Sequence, residues 1–259
     1  MTENLNITIV QADIVWEDID SNLAKYSEKL NSIQSPTDLI VLPEMFQTGF
    51  SMNPSNLAEL MNGKTMAWMK EMASLKGAVL AGSIIITENQ KYYNRLLFIT
   101  PYGDVKFYDK KHLFTLAGED KVYTAGSEKL IYEINGWKIC PMICYDLRFP
   151  VWIRNREDYH LLVFVANWPE KRVLHWKTLL QARAIENQAF VVGVNRVGTD
   201  GNSCIYSGDS AVYDAMGKKL SSLMPEKEGI ESIILSMAEL QNTRKNLPFS
   251  HDRDEFELI

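Results

Sequence analysis

Short β-branched or apolar runs alternate with amphipathic stretches along this chain, and that alternation limits its possible folds more than any single residue does. "NITIVQAD" precedes a helical pattern, then come "DLIVLPE", a second helical pattern and "AVLAGSIIIT". In the first helical stretch Leu23, Tyr26, Leu30 and Ile33 recur at spacings of three and four behind the candidate N-caps Asp18, Asp20 and Ser21. The second, Thr65 to Lys76, carries Met66, Met69, Met72, Ala73 and Leu75 and stops at Gly77. Each stripe calls for a sheet to cover it.

The style changes at Lys91. "KYYNRLLFIT" and "DVKFYD" flank the turn signal "PYGD", and "KLIYEI" and "WKICPMIC" flank Asn135-Gly136, so both pairs read as hairpins. "YHLLVFVAN" reads as a buried strand, "LHWKTLLQARAIENQ" as a long amphipathic helix and "FVVGVNR" as a strand. "SAVYDAMGKKLSS" reads as two strands around an Ala-Met-Gly turn, and "GIESIILSMAELQNTRKN" as a strand followed by a helix. Hairpins mixed with helix-bearing crossovers predict a layered α/β protein whose helices cover one face of each of two sheets. The pattern leaves the strand order open.

With 259 residues, 46% of them hydrophobic, and no linker, repeat or low-complexity run, residues 1–259 read as one unit. The net charge is −6 and the basic residues are scattered, which argues against nucleic acid or an anionic membrane as a partner. No apolar run approaches the roughly 18 residues of a membrane span, and "MTENLNITIVQAD" lacks the order of a signal peptide. A cytoplasmic location is expected. Three cysteines without disulfide-framework spacing fit a reducing compartment. Paired-Cys motifs, His-x-x-x-His and Gly-rich phosphate loops do not occur, so neither a metal nor an organic cofactor is expected.

Three residues carry the chemical reading. Cys144 follows the strand run "KICPMI", at the edge where crevices open in layered α/β proteins, and a thiolate there can attack a carbonyl or nitrile carbon. Glu44 ends "DLIVLPE", where partial desolvation lifts a carboxyl toward general-base range. Lys110 in "FYDKKHLF" offers a fixed cation for an oxyanion. Taken singly, each also has a plain structural reading: a buried thiol, a surface glutamate, one lysine of a solvated pair. Cys140 reads as a core thiol and Cys204 as an exposed bystander. A Cys-His scheme is the competing chemistry, with His112, His160, His175 or His251 as the base. A non-catalytic scaffold is the competing non-enzyme.

"LIVLPEMF", "YNRLLFITPYGDVKFYDKKHLF" and "ICYDLRFP", in that order, resemble the nitrilase superfamily of carbon-nitrogen hydrolases, and the resemblance runs from "ITIVQAD" to "LPFSHDRDEF". It implies a four-layer α-β-β-α sandwich, with Glu44 as base, Lys110 as transition-state lysine and Cys144 as nucleophile. It also implies a second glutamate beside the lysine, for which Glu119 is the candidate and Asp120 and Glu128 the alternatives, and an oxyanion donor in the Tyr145 N–H. A homodimer through outward-facing helices and the segment "RFPVWIRNRE" is implied as well. "EMFQTGFSM", "CYDLRFPVW" and "ANWPEKR" resemble the omega-amidase branch, which hydrolyses the terminal amide of short 2-oxo acids such as 2-oxoglutaramate and 2-oxosuccinamate. Carbamoyl-amino acids and other small amides are the alternative substrates. A far carboxylate needs a cation, for which Arg148 is the candidate unless it pairs with Asp146; Phe46, Phe50 and Trp168 are the candidate pocket walls.

Overall fold

The computed structural model describes residues 4–257, so the ends of the expected unit, residues 1 and 259, lie outside it. The elements run β1 (Asn4–Gln11), α1 (Ile19–Asn31), β2 (Leu39–Val41), α2 (Pro54–Leu57), α3 (Lys64–Lys76), β3 (Val79–Glu88), β4 (Lys91–Ile99) and β5 (Val105–Asp109). They continue with β6 (Tyr132–Ile134), β7 (Trp137–Ile143), α4 (Pro150–Ile153), β8 (Leu161–Ala166), α5 (Val173–Asn187) and β9 (Phe190–Asn195). Last come β10 (Val197–Thr199), β11 (Ile205–Ser207), β12 (Ala211–Tyr213), β13 (Gly229–Ser236) and α6 (Met237–Asn246).

Pairing sorts the strands into a six-stranded sheet, β13-β1-β2-β3-β4-β5, and a five-stranded sheet, β12-β9-β8-β7-β6. The period of two along each strand then builds the layers. Leu5, Ile7, Leu39, Val41, Leu96 and Phe98 face the second sheet, while Ile40, Leu80, Leu97 and Ile99 face the opposite way. Against that outer face lie Leu23, Tyr26 and Leu30 of α1 and Met66, Met69 and Met72 of α3. Trp176 and Leu180 of α5 cover the outer face of the five-stranded sheet at Gly193, which completes an α-β-β-α sandwich.

Asp18 caps α1 by accepting from the Ser21 N–H, and Gly77 closes α3 in the left-handed conformation. Leu75 departs from the expected stripe. It is 61% exposed, because nine residues after Met66 a helix has turned to its opposite side. The Asn135-Gly136 hairpin forms with both residues at positive φ. A further tight hairpin, unmarked by glycine or proline, joins β3 to β4 through Asn89-Gln90. After β12 the expected return strand shrinks to a single bridge between Tyr213 and Lys219.

Two predictions follow from the packing of the five-stranded sheet. A Cβ on Gly193 would lie 2.4 Å from Leu180 Cδ1 and 2.8 Å from Trp176 Cζ2, so Gly193→Ala should cost about 1–3 kcal/mol of stability. An unchanged thermal midpoint would contradict that close approach. At the start of β8, His160 Nδ1 accepts the Lys138 N–H at 3.0 Å, which requires a neutral ring. Burial, reinforced by the Arg244 and Lys138 charges, lowers the His160 pKa from 6.5 to about 4. The unfolded chain takes up this proton near pH 6.5 and the folded one only near 4, so stability falls as pH drops through that window. In His160→Gln that segment of the Tm-against-pH curve should flatten.

Candidate active site

β2 and β3 are parallel, and β3, β4 and β5 are successively antiparallel, so β2 and β5 run in the same direction. The residues that follow them, Glu44 and Lys110, therefore emerge at one edge of the sheet. β7 and β8, also parallel, deliver Cys144 and Asn167 from the facing sheet. The Asn167 N–H donates to Glu44 Oε2 at 2.8 Å, and the Asn167 side-chain amide donates to the Glu44 carbonyl at 2.6 Å, which joins the two edges.

Lys110 Nζ lies 3.0 Å from Glu44 Oε1 and 2.9 and 3.0 Å from the two Glu119 carboxylate oxygens. Asn94 Nδ2 donates to the same Glu44 oxygen at 2.7 Å, and Glu119 accepts the Phe114 N–H at 2.5 Å. Lysine and both glutamates are at most 1% exposed. Of the acids considered beside the lysine, Asp120 and Glu128 are exposed. The lysine's own backbone is pinned, its N–H to Asn94 O at 3.0 Å and its carbonyl accepting from Gly126 at 2.9 Å. Gly126 must be glycine there, since a Cβ would sit 2.2 Å from Asp109 O.

Cys144 sits at the sharp turn from β7 into the 3-10 helix Cys144–Arg148, with φ at +43°. That conformation costs a non-glycine residue about 1–3 kcal/mol, so surrounding contacts must hold it. They centre on buried Asp146. Its carboxylate accepts from Ile143 N (3.0 Å), Tyr108 OH (2.8 Å) and His112 N (2.9 Å), with His112 Nδ1 at 2.7 Å. The His112 ring stacks on Phe149 at 3.7 Å.

Cys144, Glu44 and Lys110 open onto a cavity of about 750 Å³, also lined by Phe50, Tyr145, Arg148, Trp168 and Arg172. Phe50 lies under the lysine, 4.9 Å from Nζ to ring centroid. Tyr145 stands in the first turn of the 3-10 helix, where a backbone N–H has no acceptor within the helix. Arg148 does not pair with Asp146; its guanidinium lies over Trp168 and meets His175 Nδ1 at 3.1 Å. The expectation that Phe46 walls the pocket is corrected. Fully buried, it packs against Tyr26, Trp68 and Gly82 on the helix side of the six-stranded sheet, because the turn at Met45 (φ +43°) sends Glu44 and Phe46 to opposite sides. Cys204 is not a bystander on an open loop but part of the cavity wall. Asn94, Asn167 and Arg172 escaped sequence reading, although each lies within or beside a motif already singled out.

Two buried carboxyl groups flank one ammonium, and burial pushes the Glu119 carboxyl up against the opposing pull of Lys110. Burial opposes the charged form of Lys110, yet Glu119 and Glu44 outweigh it and hold the lysine above its ordinary pKa. Burial pushes the Cys144 thiol well up; the Glu44 charge adds to this and Lys110 opposes it. The resting sulfur is therefore held as a thiol, and a thiol gains nucleophilic strength only when a neighbouring group takes its proton.

Residues 6–245 match the carbon-nitrogen hydrolase family. The chain belongs to the carbon-nitrogen hydrolase family. This hydrolase is 45% identical to the omega-amidase YafV of Escherichia coli over 98% of each chain, and 34% identical to the 2-oxoglutaramate amidase of Bacillus subtilis over 95% of this chain and 96% of that one. Its fold matches XC1258 of Xanthomonas campestris, a CN-hydrolase superfamily protein with an arsenic adduct in its active site, with a TM-score of 0.97 and 43% identity over 100% of both chains. The expected family, amidase class and sandwich fold stand.

Iodoacetamide should alkylate Cys144 in preference to buried Cys140, and Glu44→Gln should slow labelling of Cys144 at least about tenfold by removing the base. Peptide mass spectrometry reads both rates, with Cys204 as the internal reference. Equal labelling of Cys144 in the two proteins would show that Glu44 does not activate the thiol.

Proposed function

We propose that this hydrolase is a cysteine-dependent omega-amidase, releasing ammonia from the terminal amide of short 2-oxo dicarboxylic acid monoamides such as 2-oxoglutaramate and 2-oxosuccinamate. One observation carries the reading: Glu44, Lys110 and Cys144, from three separate strand ends, line one cavity together with Arg148 and Arg172. Omega-amidase relatives alike over nearly their whole length support it.

Geometry and charge support the following roles. Glu44 takes the Cys144 proton as sulfur attacks the amide carbon, and Lys110 with the Tyr145 N–H holds the oxyanion. Glu119, bonded to Lys110 through both oxygens, keeps the ammonium in place. Collapse of the tetrahedral intermediate breaks the carbon-nitrogen bond; Glu44 passes its proton to nitrogen, and ammonia leaves a thioester on Cys144. A water deprotonated by Glu44 then cleaves the thioester, freeing the carboxylate and restoring the thiol. Phe50 and Trp168 wall the substrate's chain, and Arg148 receives its far carboxylate. We place the protein in the cytoplasm, where its three unpaired cysteines stay reduced. It acts there as a homodimer through outer helices, on which Leu174 and Ile185 are exposed.

Wild type should release ammonia from 2-oxoglutaramate, with Cys144→Ala and Glu44→Gln lower by at least about 10³-fold. His112→Ala should keep far more activity, since its ring serves Asp146. Glutamine, a carbamoyl-amino acid and a simple nitrile form the control panel. Preferential turnover of one of these would overturn the substrate, and an active Glu44→Gln the roles.

A further inference from the structure

The cavity is lined by a second guanidinium, that of Arg172, lying over the Phe114 ring at 5.4 Å. Phe114 is tied to the reacting groups on both sides: its N–H donates to the Glu119 carboxylate that holds Lys110, and its ring packs edge-on against Tyr145 at 5.0 Å. Arg148 lies over Trp168, and the Trp168 indole N–H donates to the Arg172 carbonyl at 2.8 Å. The two arginines are thus built into one frame with the nucleophile and the lysine. Among the described residues, the arginines paired with carboxylates are Arg95, Arg183, Arg196 and Arg253. Arg148 and Arg172 are not among them.

The acids of the cavity are engaged elsewhere. Glu17 accepts from Ser51 Oγ at 2.5 Å, and Asp200 from Asn202 N, Cys204 N and Tyr206 OH at 2.8–2.9 Å. Burial, and after it the charge of Arg172, lowers the pKa of Arg148, so the two cations feel each other without a counterion. Two like charges held together at a partly buried wall cost free energy unless an anion joins them.

Resting on the omega-amidase reading above, we infer that Arg172 is a specificity-determining residue. With Arg148 it forms a two-guanidinium clamp for the 2-oxo carboxylate end of the substrate. One planar fork takes the carboxylate from one side. The other reaches the remaining carboxylate oxygen and the 2-oxo oxygen, which lie in one plane and accept side by side. The clamp makes the enzyme select for an acid whose anionic head is remote from the scissile amide.

The test compares wild type, Arg172→Gln and Arg172→Lys on 2-oxoglutaramate and on pentanamide, which has the same chain length but neither carboxylate nor 2-oxo group. In Arg172→Gln, kcat/KM for 2-oxoglutaramate should fall at least about 30-fold more than for pentanamide, chiefly through KM, with partial recovery in Arg172→Lys. Equal losses on both amides would reduce Arg172 to a structural residue and overturn the clamp. A second readout needs no turnover: protection of Cys144 from iodoacetamide by 2-oxoglutarate. Half-protection should require at least about tenfold more 2-oxoglutarate in Arg172→Gln, and unchanged protection also overturns the clamp. Wild type that is protected by 2-oxoglutarate yet leaves 2-oxoglutaramate intact would sink the omega-amidase reading while the clamp stands.

Discussion

A lysine ammonium taken out of water between two carboxylates is the constraint around which this molecule is arranged. Desolvating one cation and two anions costs several kcal/mol per ion, and close, well-aligned partners are what offset it. Here the partners come from far apart in sequence: Glu44 follows β2, Lys110 follows β5, and Glu119 sits in the loop beyond. Their meeting requires β2 and β5 to end at the same edge, which in turn requires the antiparallel excursion through β4. The sandwich is the scaffold that keeps these ends together.

The same cluster sets the state of Cys144. Burial, and after it the Glu44 charge, disfavours a thiolate, in contrast to cysteines activated by an adjacent cation alone. Attack by the sulfur therefore depends on a neighbouring group taking the thiol proton.

Much of this was legible in the sequence because strand ends announce themselves. "LIVLPE" and "KICPMIC" each finish an apolar run with a polar group, whereas Lys110, one of two adjacent lysines, was picked out by the family resemblance. Glu119 was harder, with Asp120 next to it and Glu128 close behind; only burial separates them. Phe46 was misplaced because one positive-φ residue, Met45, reverses the facing that alternation would give. Asn94 was invisible for another reason: it is one polar position inside an otherwise ordinary hairpin strand, and its partner lies 50 residues away. Arg172 ends the quoted stretch "ANWPEKR", but nothing in that stretch distinguishes it from its neighbours. That no acid pairs with it among the described residues is disclosed only by its three-dimensional neighbours. The Asn89-Gln90 turn was likewise unmarked, since its φ values are of the kind glycine usually supplies.

Asp146 bears on how this site withstands thermal motion. One carboxylate grips the strand end before Cys144, the tyrosine of β5 and the turn after Lys110. Nucleophile and lysine are carried on different sheets, and ordinary breathing of a sandwich slides such sheets past one another. Joined at a single two-oxygen anchor, the two turns ride that motion as one body. The spacing between sulfur and ammonium is thereby decoupled from the shear of the sheets beneath it.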